Sequence, residues 1–265
     1  MNDFWHKQGG EPLFPALVWS RPENRQHAGK LLIIGGHAHG FAAPAEAYAV
    51  ADKAGAGSLR VMLPDHIRPQ LLKFKSAILG MEFAPSTPSG SFASKALAEL
   101  LATAGWADGV LLAGDLGRNS ETAIVLEKFV SKTNMPLVLT RDSVDYFTSN
   151  SSPIINRSNT TLVMTIAQFQ KLATNAKFAT PITFSMGLMQ LVEALHTFTS
   201  EYPTHIIVKH LDTILVAVNG AVSTTKTDQD LEDSWRVATA ARASVWLIQN
   251  QSKPFEALTT AVLEK

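Results

Sequence analysis

The chain has 265 residues, no cysteine, and 23 basic against 23 acidic side chains. That length suits one large α/β domain better than two independent ones, and the absence of cysteine excludes a disulfide framework, a thiolate nucleophile and a Cys-ligated zinc site. Balanced charge with no basic run argues against nucleic acid as a partner, and no apolar stretch of about 18 residues is present to cross a membrane, so the expectation is a cytoplasmic protein.

Residues 1–29 read as an N-terminal arm, interrupted by Pro12, Pro15 and Pro22 but carrying Phe4, Trp5, Leu13, Phe14 and Trp19 to bury against the domain or a neighbouring subunit. The apolar run Leu31 to Ile34 then predicts a buried strand, stopped by Gly35-Gly36. The loop from His37 to Phe41 follows, and Ala43, Ala47, Val50, Ala51 and Ala54 repeat at helical spacing up to Gly55. Leu59 to Leu63 is a second strand, which completes a right-handed βαβ unit with parallel strands. The loop after its first strand is the place where free N–H groups at a helix N-terminus attract anions.

Residues 66–88 read as irregular and precede a helix from about Ser94 to Ala104. Strand, polar loop and helix then repeat twice. The first repeat is Asp108 to Ala113, the loop Gly114 to Arg118, and a helix capped by Asn119 or Ser120; the second is Pro136 to Thr140, the loop Arg141-Asp142-Ser143, and a short helix. Thr160 to Met164 predicts a strand, 166–172 a short helix, and 181–199 a long amphipathic helix. His205 to Lys209 and Thr213 to Val218 lie close enough to form an antiparallel pair, expected at a sheet edge. An apolar helix near 230–249 and a last helix with Pro254 at its first position end the chain.

Glycines at Gly35-Gly36 and at Gly114 and Gly117 put two backbone-lined loops at one edge of a parallel sheet, which favours a nucleotide or phosphate crevice. Ordinary strand-to-helix turns that need positive φ would look the same. Neither a Walker A nor a G-x-G-x-x-G sequence occurs. His37 and His39, with Gly36 and Gly40, read as polar loop residues near a ligand rather than as a metal site, because no third ligand has a matching spacing. Lys209, leaving a buried strand, either neutralises a phosphate or is a solvated strand end. Asp228, Asp230, Glu232 and Asp233 read as a charged helix start.

Taken together, Gly35-Gly36, the Ala-rich helix, Ala54 to Gly57, Asp108 to Arg118, Pro136 to Asp142, Thr161 to Leu172, Ile207 to Ala217 and Pro254 to Ala257 resemble the ADP- or ATP-dependent NAD(P)H-hydrate dehydratases of the ribokinase-like superfamily. The resemblance covers about residues 25–265 and implies an α/β fold, with a central mostly parallel sheet flanked by helices on both faces in a single domain over 30–265. It further implies repair of hydrated NADH or NADPH, ADP or ATP as cofactor with or without Mg2+, and an oligomer. By the same resemblance, Gly114, Gly117, Lys209 and Thr213 would serve the adenine nucleotide, and Gly36, His37, His39, Gly40 and Asp142 the nicotinamide substrate. The catalytic motifs depart from the family. Its H-P-G-E falls on Thr165-Ile166-Ala167-Gln168, its G-T-G-D on Trp235-Arg236-Val237-Ala238, and its first strand aspartate on Thr140, which leaves Asp233 as the one substitute for the lost acid. Two readings remain open: a divergent dehydratase or small-molecule kinase, impaired or inactive, and a non-catalytic relative that binds a nucleotide or a protein partner.

Overall fold

The computed structural model describes residues 3–71, 80–227 and 235–263. Among the described residues ten strands form one sheet: β1 (Trp5–Gln8), β2 (Lys30–Gly35), β3 (Ser58–Pro64), β4 (Met81–Ala84), β5 (Gly109–Gly114), β6 (Leu137–Thr140), β7 (Thr160–Met164), β8 (His205–His210), β9 (Thr213–Val218) and β10 (Ala221–Lys226). Their order is β1-β10-β9-β8-β7-β6-β5-β2-β3-β4, and β9 alone runs against its neighbours. The helices are α1 (Pro15–Trp19), α2 (Ala42–Lys53), α3 (Arg68–Leu71), α4 (Ala96–Ala104), α5 (Ser120–Lys132), α6 (Asp142–Asp145), α7 (Ser152–Ile155), α8 (Ile166–Asn175), α9 (Leu188–Glu201), α10 (Trp235–Gln249) and α11 (Pro254–Ala261).

The central strands β5, β6 and β7 are buried at every position because both of their faces are covered. In β2, Leu32 and Ile34 face a core completed by α4, α5, α8 and α9, whereas Leu31 and Ile33 face a second core completed by α2, α10 and α11. Successive side chains of a strand point to opposite faces, so one four-residue run feeds both layers. From β2 the chain steps outward to β3 and β4; it then returns to the other side of β2 and steps through β5 to β8. The boundary between β2 and β5 is therefore the topological switch point, where strand-end loops diverge to opposite faces and leave a crevice.

Four expectations change. The pair β8 and β9 is not at an edge, because β10 and β1 extend the sheet beyond it. The N-terminal segment supplies β1, which runs parallel to β10 with Trp5 Nε1 donating to Thr224 Oγ1 at 3.0 Å. The span read as irregular holds the opposite edge strand, β4, paired with β3. Helix α9 begins only at Leu188, since Gly187 is its N-cap with extended φ and ψ and its N–H donates to Gln190 Oε1. Helix α10 is described from Trp235, and Asp228, Asp230, Glu232 and Asp233 lie outside the described residues.

Candidate functional site

The crevice at the switch point is built by the loops that leave β2, β5 and β6. Gly36 has φ 86° and its N–H donates to the Gly114 carbonyl at 3.0 Å, which ties the first loop to the second. Gly114 has φ 101°, and a Cβ there would lie 2.8 Å from Asp142 Oδ1 and 2.9 Å from Arg141 Cβ. These glycines are thus required by backbone shape and by close approach at once. His37 Nδ1 lies 2.8 Å from the Asp115 carbonyl, and the His37 and His39 rings meet edge to face at 5.9 Å.

Asp115 is the hub. It adopts a left-handed φ of 57°, its Oδ2 accepts from the Ala43 N–H at 2.7 Å, and its Oδ1 pairs with Arg141 Nη2 at 3.1 Å. Arg141 is itself left-handed, at φ 55°. Non-glycine residues take this region rarely, and two in contact mark a locally over-determined loop. Next to them, Asp142 Oδ2 accepts from the Leu116 N–H at 2.8 Å, while Oδ1 is buried with no hydrogen-bond partner. Burial pushes the Asp142 carboxyl pKa up, the Leu116 hydrogen bond opposes this, and the neighbouring Asp115 charge adds to it. Tyr146 closes the side: its hydroxyl donates to the Gly117 carbonyl and accepts from the Asn119 N–H, and burial raises its pKa.

Together these groups line a cleft of about 760 Å³ that includes His37, Asp115, Gly117, Arg118, Arg141, Asp142, Tyr146, Lys171 and Arg236. A second cleft, of about 980 Å³, lies further along the same edge of the sheet, lined among others by Trp5, Lys7, Gly10, Thr213, Lys226 and Arg242. The structure brings Gly36, His37, Gly40, Asp142, Gly114 and Gly117 together at the first cleft. His39 is exposed beside His37, and Thr213 lines the second cleft. Lys209 is the penultimate residue of β8, paired with Ile214 of β9 and half-buried. Asp233 is outside the described residues.

Sequence reading missed Arg141, Tyr146 and Lys171 as cleft residues, as well as the joint role of Asp115. The signal at Thr165 to Gln168 was legible as helix chemistry: Thr165 Oγ1 accepts from the Gln168 N–H at 3.2 Å and Gln168 Oε1 accepts from the Thr165 N–H at 3.1 Å, a capping box at the start of α8. The same Gln168 donates through Nε2 to the Arg141 carbonyl and to Asp145 Oδ1, and its Oε1 accepts from Arg236 Nη1 at 3.5 Å. Buried Gln168 therefore joins the ends of β6 and β7 to the start of α10.

The basic residues in both clefts suit a phosphate-bearing ligand. For Mg2+ the fit is poor: no group of three potential ligating side chains occurs among the described residues, and Asp115 and Asp142 already engage Arg141, Ala43 and Leu116. No helix among the described residues is long and apolar enough to cross a membrane.

No protein-family model matches the chain. A bifunctional NAD(P)H-hydrate repair enzyme from Salinibacter ruber is 24% identical over 194 residues, which is 72% of this chain and 34% of that enzyme. The chain thus spans about a third of that relative's length. Among solved structures, a ribokinase-like superfamily protein from Enterococcus faecalis superposes with a TM-score of 0.74 at 13% identity, over 99% of this chain and 86% of the other. The ADP/ATP-dependent NAD(P)H-hydrate dehydratase of Bacillus subtilis, co-crystallised with ATP and Mg2+, superposes with a TM-score of 0.63 at 12% identity, over 95% and 86% of the two chains. The fold is ribokinase-like α/β, and the sequence is similar, at low identity, to the NAD(P)H-hydrate repair enzymes.

Proposed function

We propose that the protein is a divergent relative of the NAD(P)H-hydrate dehydratases, one that binds a nucleotide along the C-terminal edge of its sheet and has dehydratase turnover impaired or lost. An adenine nucleotide takes the second cleft, near Lys209 and Thr213, and a nicotinamide nucleotide takes the first, near His37 and Asp142. What carries the reading is the first described turn of α10. The resemblance puts anion-binding glycines and an acid there; this chain has buried Trp235, and Arg236 with its guanidinium toward Gln168 and the cleft.

A guanidinium can hold a phosphate through paired N–H bonds, but it stays protonated and cannot exchange a proton in an acid-assisted dehydration. Loss of a general acid or base typically costs about 100- to 10,000-fold in rate. Mg2+ that accompanies a nucleotide is held largely by phosphates and water, so the poor ligand set of the described residues leaves nucleotide binding open. ADP at 100 times its dissociation constant should raise the unfolding free energy by about 2.7 kcal/mol, read as a higher melting temperature, and Arg236→Ala should weaken binding by about tenfold or more. No shift with ADP, ATP or NADPH would remove the basis of the reading.

The competing reading is an active dehydratase that uses other groups. It draws on half-buried Asp142, whose raised pKa is the kind of perturbation found at functional carboxyls. ATP-dependent release of NADPH from its hydrate, abolished by Asp142→Asn, would establish it.

A further inference from the structure

We propose that the N-terminal strand supplies a phosphate grip to the second cleft: Lys7 of β1 and Lys226 of β10 together hold the outer phosphates of a polyphosphate chain, so that the cleft takes nucleoside di- and triphosphates in preference to monophosphates. The inference rests on the reading that this cleft holds a nucleotide, and it names the groups that select the ligand by its charge.

Strand β1 lies ahead of the region, about residues 25–265, in which the sequence resembles the NAD(P)H-hydrate dehydratases. The N-terminal segment nevertheless gives Trp5, Lys7, Gln8, Gly9 and Gly10 to the wall of the cleft. Lys7 stands opposite Thr224 in the parallel pair of β1 and β10, and Lys226 stands opposite Thr213 of β9. The bond from Trp5 Nε1 to Thr224 Oγ1 shows that these two side chains share one face of the sheet, and by the two-residue alternation Lys7 and Lys226 share it as well. Lys226 is thus the diagonal neighbour of Lys7, at a separation that long side chains bridge.

The Lys7 ammonium lies 4.5 Å from the centre of the Trp5 ring, which holds the side chain over the indole. Both lysines are exposed, and among the described residues neither has a carboxylate partner. No Asp or Glu of the described residues lines the cleft, and Arg242 adds positive charge from α10. Like charges on neighbouring strands repel; an anion between them removes that repulsion and gains charge-assisted hydrogen bonds. A single phosphate engages one ammonium, whereas a chain of two or three phosphates spans the diagonal pair.

The segment after Lys7 is fixed beside the same cleft. Buried Gln8 donates through Nε2 to Thr225 Oγ1 and to the Thr259 carbonyl, and its Oε1 accepts from the Leu13 N–H at 3.0 Å, which closes residues 9–12 into a loop. Gly9 and Gly10 are exposed in it, with nothing within 4 Å of a Cβ position, so a ligand can approach the main chain there. Glu11, in the same loop, is exposed and does not line the cleft.

The test is calorimetric titration of AMP, ADP and inorganic tripolyphosphate, at one ionic strength, into the wild-type chain, Lys7→Gln, Lys226→Gln and Lys7→Arg. Both lysines are exposed, so the variants keep the fold, which their melting temperatures check. Wild type should bind tripolyphosphate, and ADP more tightly than AMP. Each glutamine should weaken ADP and tripolyphosphate by at least about fivefold and AMP by less than about twofold, while Lys7→Arg keeps the wild-type affinities. A wild type that does not bind tripolyphosphate overturns the inference, as do glutamine variants with unchanged affinity for it or equal losses for AMP and ADP. Tripolyphosphate binding that depends on both lysines, with no binding of ADP or AMP, ends the nucleotide reading and keeps the lysine grip; ADP binding that is indifferent to both lysines does the reverse.

Discussion

His205 stands at the start of β8, its Nδ1 3.1 Å from Thr161 Oγ1, and burial pulls its pKa down from 6.5 to about 4. The folded chain holds the imidazole neutral, whereas the unfolded chain protonates it near pH 6.5. Between those values the unfolded state binds more protons, so stability is lost as pH falls from about 6.5 toward 4, by up to about 1.4 kcal/mol per pH unit. Asp142 and Glu46, whose burial raises their pKa values, pull in the opposite sense. Comparison of wild type with His205→Gln by urea denaturation at pH 7, 6 and 5 isolates the histidine, and the wild type should lose more stability than the variant over that range. Gln168 offers a second test at the same scale. Gln168→Glu restores the charge of the family motif but removes the donor to the Arg141 carbonyl and sets a carboxylate against Asp145, so it should destabilise by about 1–3 kcal/mol in denaturant unfolding.

At the scale of elements, the loop between β5 and α5 depends on Gly114. An alanine there meets both a φ of 101° and contacts of 2.8 and 2.9 Å to Asp142 and Arg141, so Gly114→Ala should cost about 2 kcal/mol or more and abolish binding in the first cleft. Gly10→Ala, with nothing within 4 Å of its new Cβ, should stay within about 0.5 kcal/mol of wild type when both variants are unfolded in urea. Asn119, by contrast, caps α5 locally, its Oδ1 accepting from Glu121 and Thr122, and the sequence had already suggested it. The contrast shows what was legible. The βαβ unit, the buried strands and the Asn119 cap follow from periodicity and neighbouring residues. The trans cap of α2 by Asp115 joins positions far apart in the chain, and no local pattern encodes it. Likewise β10, with the run Ser223-Thr224-Thr225, carries too little hydrophobic contrast to stand out as a strand, although all three side chains are buried.

Across the whole molecule, β1 covers β10 and so moves the sheet edge to the N-terminal segment. Trp5 bonds Thr224, and Gln8 Nε2 bonds both Thr225 Oγ1 and the Thr259 carbonyl. Removal of residues 1–10 would uncover β10, break these buried bonds and open one wall of the second cleft; the truncated chain should melt several degrees lower and self-associate in light scattering. Both clefts lie along one sheet edge, and the basic residues that line them, among them Arg236 of α10, support phosphate binding, with Trp235 and Arg236 rather than an acid at the first described positions of that helix. The most direct measurement is the ATP-dependent release of NADPH from NADPH hydrate by the purified wild-type chain. The account predicts a rate at least about 100-fold below that of a dehydratase with its acid intact. Release at a comparable rate would contradict it.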